Sequence, residues 1–225
     1  MAITNASLTS GTNTTDATSF TTASITPTAN QLVIATVVNT AATAGTPTLS
    51  GNGLTWVQID TQLVAASGVR TTMFRTMGAS PSSGAVTIDF GADTQTGCAW
   101  AIDAFAGIDT SGTNGSGAVV QSAKGAVDAT SITVTLAAFG STDNGAAFGM
   151  GRGRAEASTF DTGWTEIVDT TYSTPNTAIE TQWRADNDTT AGASWVTSGK
   201  AAGIAIEIKA AAAASDVDSM VTTTY

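Results

Sequence analysis

Asn30-Gln-Leu-Val-Ile-Ala-Thr-Val-Val38 is a strand-like apolar run, and a related one, Asn144-Gly-Ala-Ala-Phe-Gly-Met-Gly151, returns later in the chain. Around each run the same short segments recur in the same order. Gly53-Leu-Thr-Trp56, Thr71-Thr-Met-Phe-Arg75 and Ala101-Ile-Asp-Ala-Phe105 follow the first. Gly163-Trp-Thr-Glu166, Glu180-Thr-Gln-Trp-Arg184 and Ala205-Ile-Glu-Ile208 follow the second. The spacings are 114 residues (30 to 144), 110 (53 to 163), 109 (75 to 184) and 104 (101 to 205). Order is kept while loops change length. A period this long, built from strand-like pieces, predicts a duplicated β unit and not a solenoid of short repeats.

Period-two alternation recurs elsewhere. Val86, Ile88 and Phe90 alternate with Thr87 and Asp89, and Ile132, Val134 and Leu136 with Thr133 and Thr135. Ile179 and Trp183 share a face opposite Glu180, Gln182 and Arg184, while Ile204, Ile206 and Ile208 oppose Ala205 and Glu207. Such patterns read as half-buried strands with one solvated face. Turn clusters separate them, among them Gly51-Asn-Gly53, Ser80-Pro-Ser-Ser-Gly84 and Asp186-Asn-Asp188. Six strands are expected in each half: 17–25, 31–38, 53–59, 69–76, 84–90 and 97–105, then 130–136, 145–152, 163–169, 177–184, 192–196 and 202–208. Segment 117–123 is a candidate extra strand between the halves. The fold class is all-β, an antiparallel β-sandwich, jelly-roll-like, with an internal two-fold duplication.

Residues 1–209 are expected to form a single β-sandwich, with halves at about 17–107 and 117–209. The Gly/Ser/Thr-rich bridge from Gly107 to Gly117 also fits a linker between two tandem sandwiches. The last strand of each half (Ala99-Trp-Ala-Ile102, Gly203-Ile-Ala-Ile206) is apolar on both sides, as a central strand of a shared fold would be. After Lys209 the pattern stops, and 210–225 reads as a C-terminal arm or a tail.

Composition narrows the function classes. The chain is 42% hydrophobic and only 12% charged, and Thr, Ser and Gly carry much of the rest. It has no His, which removes the side chain most used for acid–base work near neutral pH and the commonest metal ligand. Eighteen acids against eight bases give a net charge of −10, which opposes binding to phosphate backbones or anionic membranes. Cys98 is the only cysteine, so no intrachain disulfide forms, and its apolar setting predicts a buried small hydrophobe. The N-terminus lacks the basic and apolar segments of a signal peptide, and no apolar run approaches the ~20 residues of a membrane span. A soluble protein first made in a cytoplasm is expected.

Few residues offer chemistry. Asp103 and Glu207 each close an Ala-Ile-acid segment, and facing each other they would supply the two carboxylates of a glycosidase. The alternative is that both point outward from strands whose other face is core. Asp186, Asp188, Asp216 and Asp218 have carboxylate density suited to calcium, but they match no calcium-loop spacing and Asx-capped turns are the favoured reading. Gly149-Met-Gly-Arg-Gly-Arg154 reads as a strand whose glycines admit a close neighbour, not as a phosphate loop. Trp100 and Trp183 fall on core phases. Trp164 and Tyr172 are either core or a stacking platform for sugar or protein. No catalytic, cofactor-binding or metal-ligating residue is assigned.

The segments Gln31-Leu-Val-Ile-Ala35, Gly53-Leu-Thr-Trp56, Met73-Phe-Arg75, Ala99-Trp-Ala-Ile-Asp-Ala-Phe-Ala-Gly-Ile-Asp109 and Ala202-Gly-Ile-Ala-Ile-Glu-Ile-Lys209 resemble a class of virion proteins. These are the Thr/Ala/Gly-rich β-sandwich proteins of tailed bacteriophages, found as capsid decoration (cement) proteins or as tail and fibre accessories. The resemblance spans residues 30 to 209 and rests on core and turn patterns, so no functional residue carries over. It implies a non-enzymatic homo-oligomer, often a trimer, bound to the major capsid protein on the outer capsid surface. Met1–Ala17 and Ala210–Tyr225 would be its contact arms. The alternative function is a receptor- or carbohydrate-binding module of a tail fibre or surface adhesin. Partners are then the major capsid protein and copies of the chain itself, with no nucleic acid, membrane or cofactor.

Overall fold

The computed structural model describes residues 2–64 and 68–213. Regular structure among them is β throughout. In chain order the strands are β1 (Thr4–Asn13), β2 (Ser19–Thr21), β3 (Leu32–Thr40), β4 (Thr48–Ser50), β5 (Val57–Val64), β6 (Val69–Thr76) and β7 (Thr87–Asp89). There follow β8 (Gly97–Ala106), β9 (Val119–Thr135), β10 (Gly145–Arg152), β11 (Thr159–Phe160), β12 (Thr165–Ser173), β13 (Asn176–Arg184) and β14 (Thr190–Ile208).

The pairings are antiparallel and build two main sheets, each with a cover. The first main sheet has the order β1-β8-β3-β6-β5, and its cover is the small sheet β2-β7-β4. The second runs β14-β10-β13-β12, with β9 alongside β14. Val119–Ala129 of β9 pair with Gly199–Ile208 of β14 in that sheet. Beyond a register shift between Ser194 and Gly199, Ser131–Thr135 pair with Thr190–Ser194, and β11 adds at Ala193 and Ser194. That distal ribbon is the second cover. The strand order of the two halves therefore matches, with β9 and β14 each continuous where the first half breaks into β1/β2 and β7/β8.

The main sheets pack face to face. Leu32, Ile34, Met73 and Phe105 of the first meet Ile204, Ile206 and Ile208 of the second. Further along, Val38, Ala99 and Ala101 meet Val168, Tyr172 and Ile179. Each side chain of this size removed from water contributes roughly 1.5–3 kcal/mol, so the shared layer is a large contributor to stability. Two glycines set the approach. A Cβ on Gly149 would lie 2.6 Å from Thr36 Oγ1, and one on Gly151 would lie 2.5 Å from Val38 Cγ1. Gly149 and Gly151 thus admit the opposite sheet, the close neighbour that their pattern predicts. Thr71 Oγ1 donates to Ala202 O at 3.0 Å across the same gap.

The outer faces are buried too. Phe20, Val86, Ile88 and Phe90 of the first cover seat on Val33, Phe74, Trp100 and Ile102. Ile132, Val134, Ala193 and Trp195 of the second cover seat on Ala146, Phe148 and Met150. This double burial explains why every residue of β3 and of β10 is buried, where an antiparallel strand with one wet face would alternate. It also corrects the expectation of a solvated face on β13: Glu180 and Gln182 are fully buried.

The N-terminal segment is no arm. β1 pairs with β8 from Thr4 to Asn13 and places Ile3 in the inter-sheet core. At the other end Ala210 bridges Ile108, and Ala211 N donates to Gly107 O at 2.9 Å, so the expected arm does not begin at residue 210. Its remainder, 214–225, lies outside the described residues, with Asp216 and Asp218. Segments 117–123 and 130–136 are one strand, β9, and 192–196 and 202–208 are likewise one strand, β14.

Candidate functional site

Asp103 and Glu207 do not meet. Asp103 pairs with Ile34 on β3 and Ser7 on β1, which places it on the face between the main sheets. Glu207 pairs with Ala146, whose side chain packs in the outer layer. The acids therefore point to opposite sides of their sheets: the Ala-Ile-acid match is out of phase by one residue, and one residue inverts the face. Neither points to solvent, Asp103 being 3% and Glu207 1% exposed. Burial pushes the Asp103 carboxyl up to about 7 against a hydrogen bond from Ser7. Glu207 is a clamp: it accepts from Gln121 Nε2 and Asn144 Nδ2, each at 2.6 Å, and Asn144 Oδ1 accepts from Ala210 N.

The other nominated residues have structural settings. Cys98 is fully buried, and desolvation raises its thiol pKa, as expected of a small hydrophobe. Asp186 and Asp188 are ion-paired with Arg184, and Asp188 Oδ1 caps Thr190 N at 2.8 Å. Trp164 is buried with the Arg184 guanidinium 5.9 Å from its ring, and Tyr172 sits in the inter-sheet core. Trp100 and Trp183 also pack against core clusters.

A different group of acids comes together under the second cover. β12 carries a bulge between Glu166 and Val168: Glu166 pairs with Gln182, Val168 with Thr181 and Asp169 with Glu180. On a regular strand residues three apart face opposite ways. The bulge turns Glu166 and Asp169 to the side occupied by Glu180 and Gln182. Carboxylate oxygens of Glu166, Asp169 and Glu180 lie within 4.8 Å of one another. Exposure falls from Glu166, which is open to solvent, through half-buried Asp169 to Glu180 at 0%.

Electrostatics there are strained. Neither oxygen of Glu180 has a hydrogen-bond partner, and the same holds for Asp169 Oδ1, Gln182 Oε1 and Ser158 Oγ. Desolvation, with the charges of Asp169 and Glu166, pushes the Glu180 carboxyl up to about 9. Asp169 is also raised by burial, although Ser158 N donates to its Oδ2 at 2.9 Å. The cation acting on Asp169 is Arg152, fully buried with its guanidinium 4.2 Å from the Trp195 ring. Its terminal nitrogens are committed to Glu156, at 2.9 Å to the backbone O and 3.1 Å to Oε2. Glu156 in turn accepts from Val196 N and Thr197 N at 3.1 Å, which ties the cover down.

Comparison with protein-family models, with curated proteins and with solved structures finds no match.

Three carboxylates with one buried end can hold a proton or a hard cation. Glu180 is closed from solvent, so a substrate reaches only the Glu166 side. Glu180 belongs to a strand whose alternation predicts a wet face, so its place in this group is hidden in the sequence. One local sign exists: in Thr165-Glu-Ile-Val-Asp169 the adjacent Ile167 and Val168 break the alternation between two acids. β5 has its bulge at the corresponding place, between Gln58 and Asp60, with no such acid set.

Proposed function

We propose that this chain is a non-enzymatic structural protein of a tailed-bacteriophage virion, most specifically a capsid decoration protein that stabilises the outer shell by binding the major capsid protein. It would act there as a homo-oligomer. The observation that carries this reading is the matched strand order of the two halves. In each, eight strand segments alternate between a main sheet and a cover, an arrangement we read as a duplicated jelly-roll unit, and viral capsid domains are among the common users of that architecture. Placing two such units back to back yields a stiff block, which suits a clamp on a shell. The resemblance to decoration proteins and the net charge of −10, which suits a position away from packaged DNA, support the same reading.

The contact arm is then 214–225, which follows the anchored Ala210 and Ala211 beside a groove lined by Asp109, Val120, Asn144 and Lys209. Truncation after Ala213 leaves the described fold intact. Its thermal midpoint should match that of the full chain while its occupancy on purified capsids falls. Equal occupancy of the two forms would sink the proposal. The carbohydrate-binding alternative loses Trp164 and Tyr172 as a platform, since both are buried.

A further inference from the structure

We propose that Glu166, Asp169 and Glu180 form a binding site for one hard divalent cation, calcium foremost, that pins edge strand β12 to β13. This goes beyond the virion reading and does not depend on it. Two oxygens bound to one calcium at about 2.4 Å can be no more than about 4.8 Å apart. The carboxylate oxygens of all three residues meet that limit.

Proximity of acids is common at surfaces, and a second observation separates this group. Glu180 is fully buried and reaches into the cluster with both oxygens unpartnered. A buried charge without a partner costs several kcal/mol unless something compensates it. Arg152 acts on Asp169 but hydrogen-bonds to Glu156 through its terminal nitrogens and leaves the Glu180 oxygens without a partner. The donor set is all oxygen, which selects calcium, magnesium or manganese over softer metals. Calcium fits best because its coordination is irregular and wide, and water can complete it from the exposed Glu166 side. The bulge that aligns Glu166 with Asp169 is the backbone device that makes the site.

The test uses the full-length protein stripped with a chelator. Calcium and, separately, magnesium are titrated calorimetrically, and thermal midpoints are recorded with and without each ion. We expect one calcium per chain and a midpoint that rises with calcium. Glu180→Gln keeps the shape but removes the ligand carboxylate, so calcium should no longer shift its midpoint. Glu166→Gln alters only an exposed side chain, so it folds; its calcium affinity should fall roughly tenfold or more. An absent calcium response in the wild type overturns the site, as does an undiminished response in both variants. A response to magnesium alone overturns the calcium assignment.

Discussion

At the residue scale the most informative side chain is Asp103, an acid buried between the two main sheets. Its causes of perturbation are burial, which raises the pKa, and the weaker hydrogen bond from Ser7, which lowers it. With a folded value near 7 and an unfolded one near 3.9, the folded state holds the proton more tightly. Its contribution is therefore fully present below about pH 4 and is lost as pH rises through 7. A shift of this size is worth at most roughly 4 kcal/mol. Asp103→Asn keeps the shape and removes the charge. Urea unfolding at pH 4 and pH 8 should show the wild type losing about 2–4 kcal/mol more than the variant over that interval. Parallel pH curves for the two proteins would show that Asp103 carries no such burden. Because other acids titrate in both proteins, the difference between them isolates this one.

At the element scale β1 decides what the N-terminus is. It pairs with β8 along its length, and Gly11 lies against Trp100, whose ring would be 2.6 Å from an added Cβ. Gly11→Val should thus lift β1 from β8 and cost about 1–3 kcal/mol by overpacking, with a changed near-ultraviolet signal from Trp100. A free arm would tolerate the change without effect. This strand was illegible in the sequence because Thr4–Asn13 carries no apolar alternation; its order comes from the open edge of β8. β3, β6, β8, β10 and β13 were legible, since burial on the inter-sheet face imposes apolar residues on them. What alternation could not reveal was the second covering layer, which comes from segments distant in sequence. The acids of the candidate site were misjudged for the same reason: Glu180 looks solvated until the covering segments close on its strand, where Ser158 N donates to Asp169 and Gln182 Nε2 donates to Gly192 O.

At the scale of the whole molecule, the inner faces of the two main sheets exist only for each other. Leu32, Ile34, Met73 and Phe105 have as their partners Ile204, Ile206 and Ile208, and Gly149 and Gly151 admit Thr36 and Val38 at a distance no other residue allows. Matching strand order alone would let each half be a self-sufficient unit, with a main sheet and its own cover. The packing argues otherwise, because a half expressed alone presents an entire apolar sheet face to water, far larger than monomers expose. The fragment 2–117 should consequently aggregate, or pair with a second copy through that face, as read by light scattering. The intact chain should unfold in one calorimetric transition with matching van't Hoff and calorimetric enthalpies. A soluble, monomeric, cooperatively folded 2–117 would show that the halves are independent and that the layer between them is only a contact. If the fragment pairs instead, the inner face of its main sheet is the surface that drives the association, as the packing of the two sheets in the intact chain predicts.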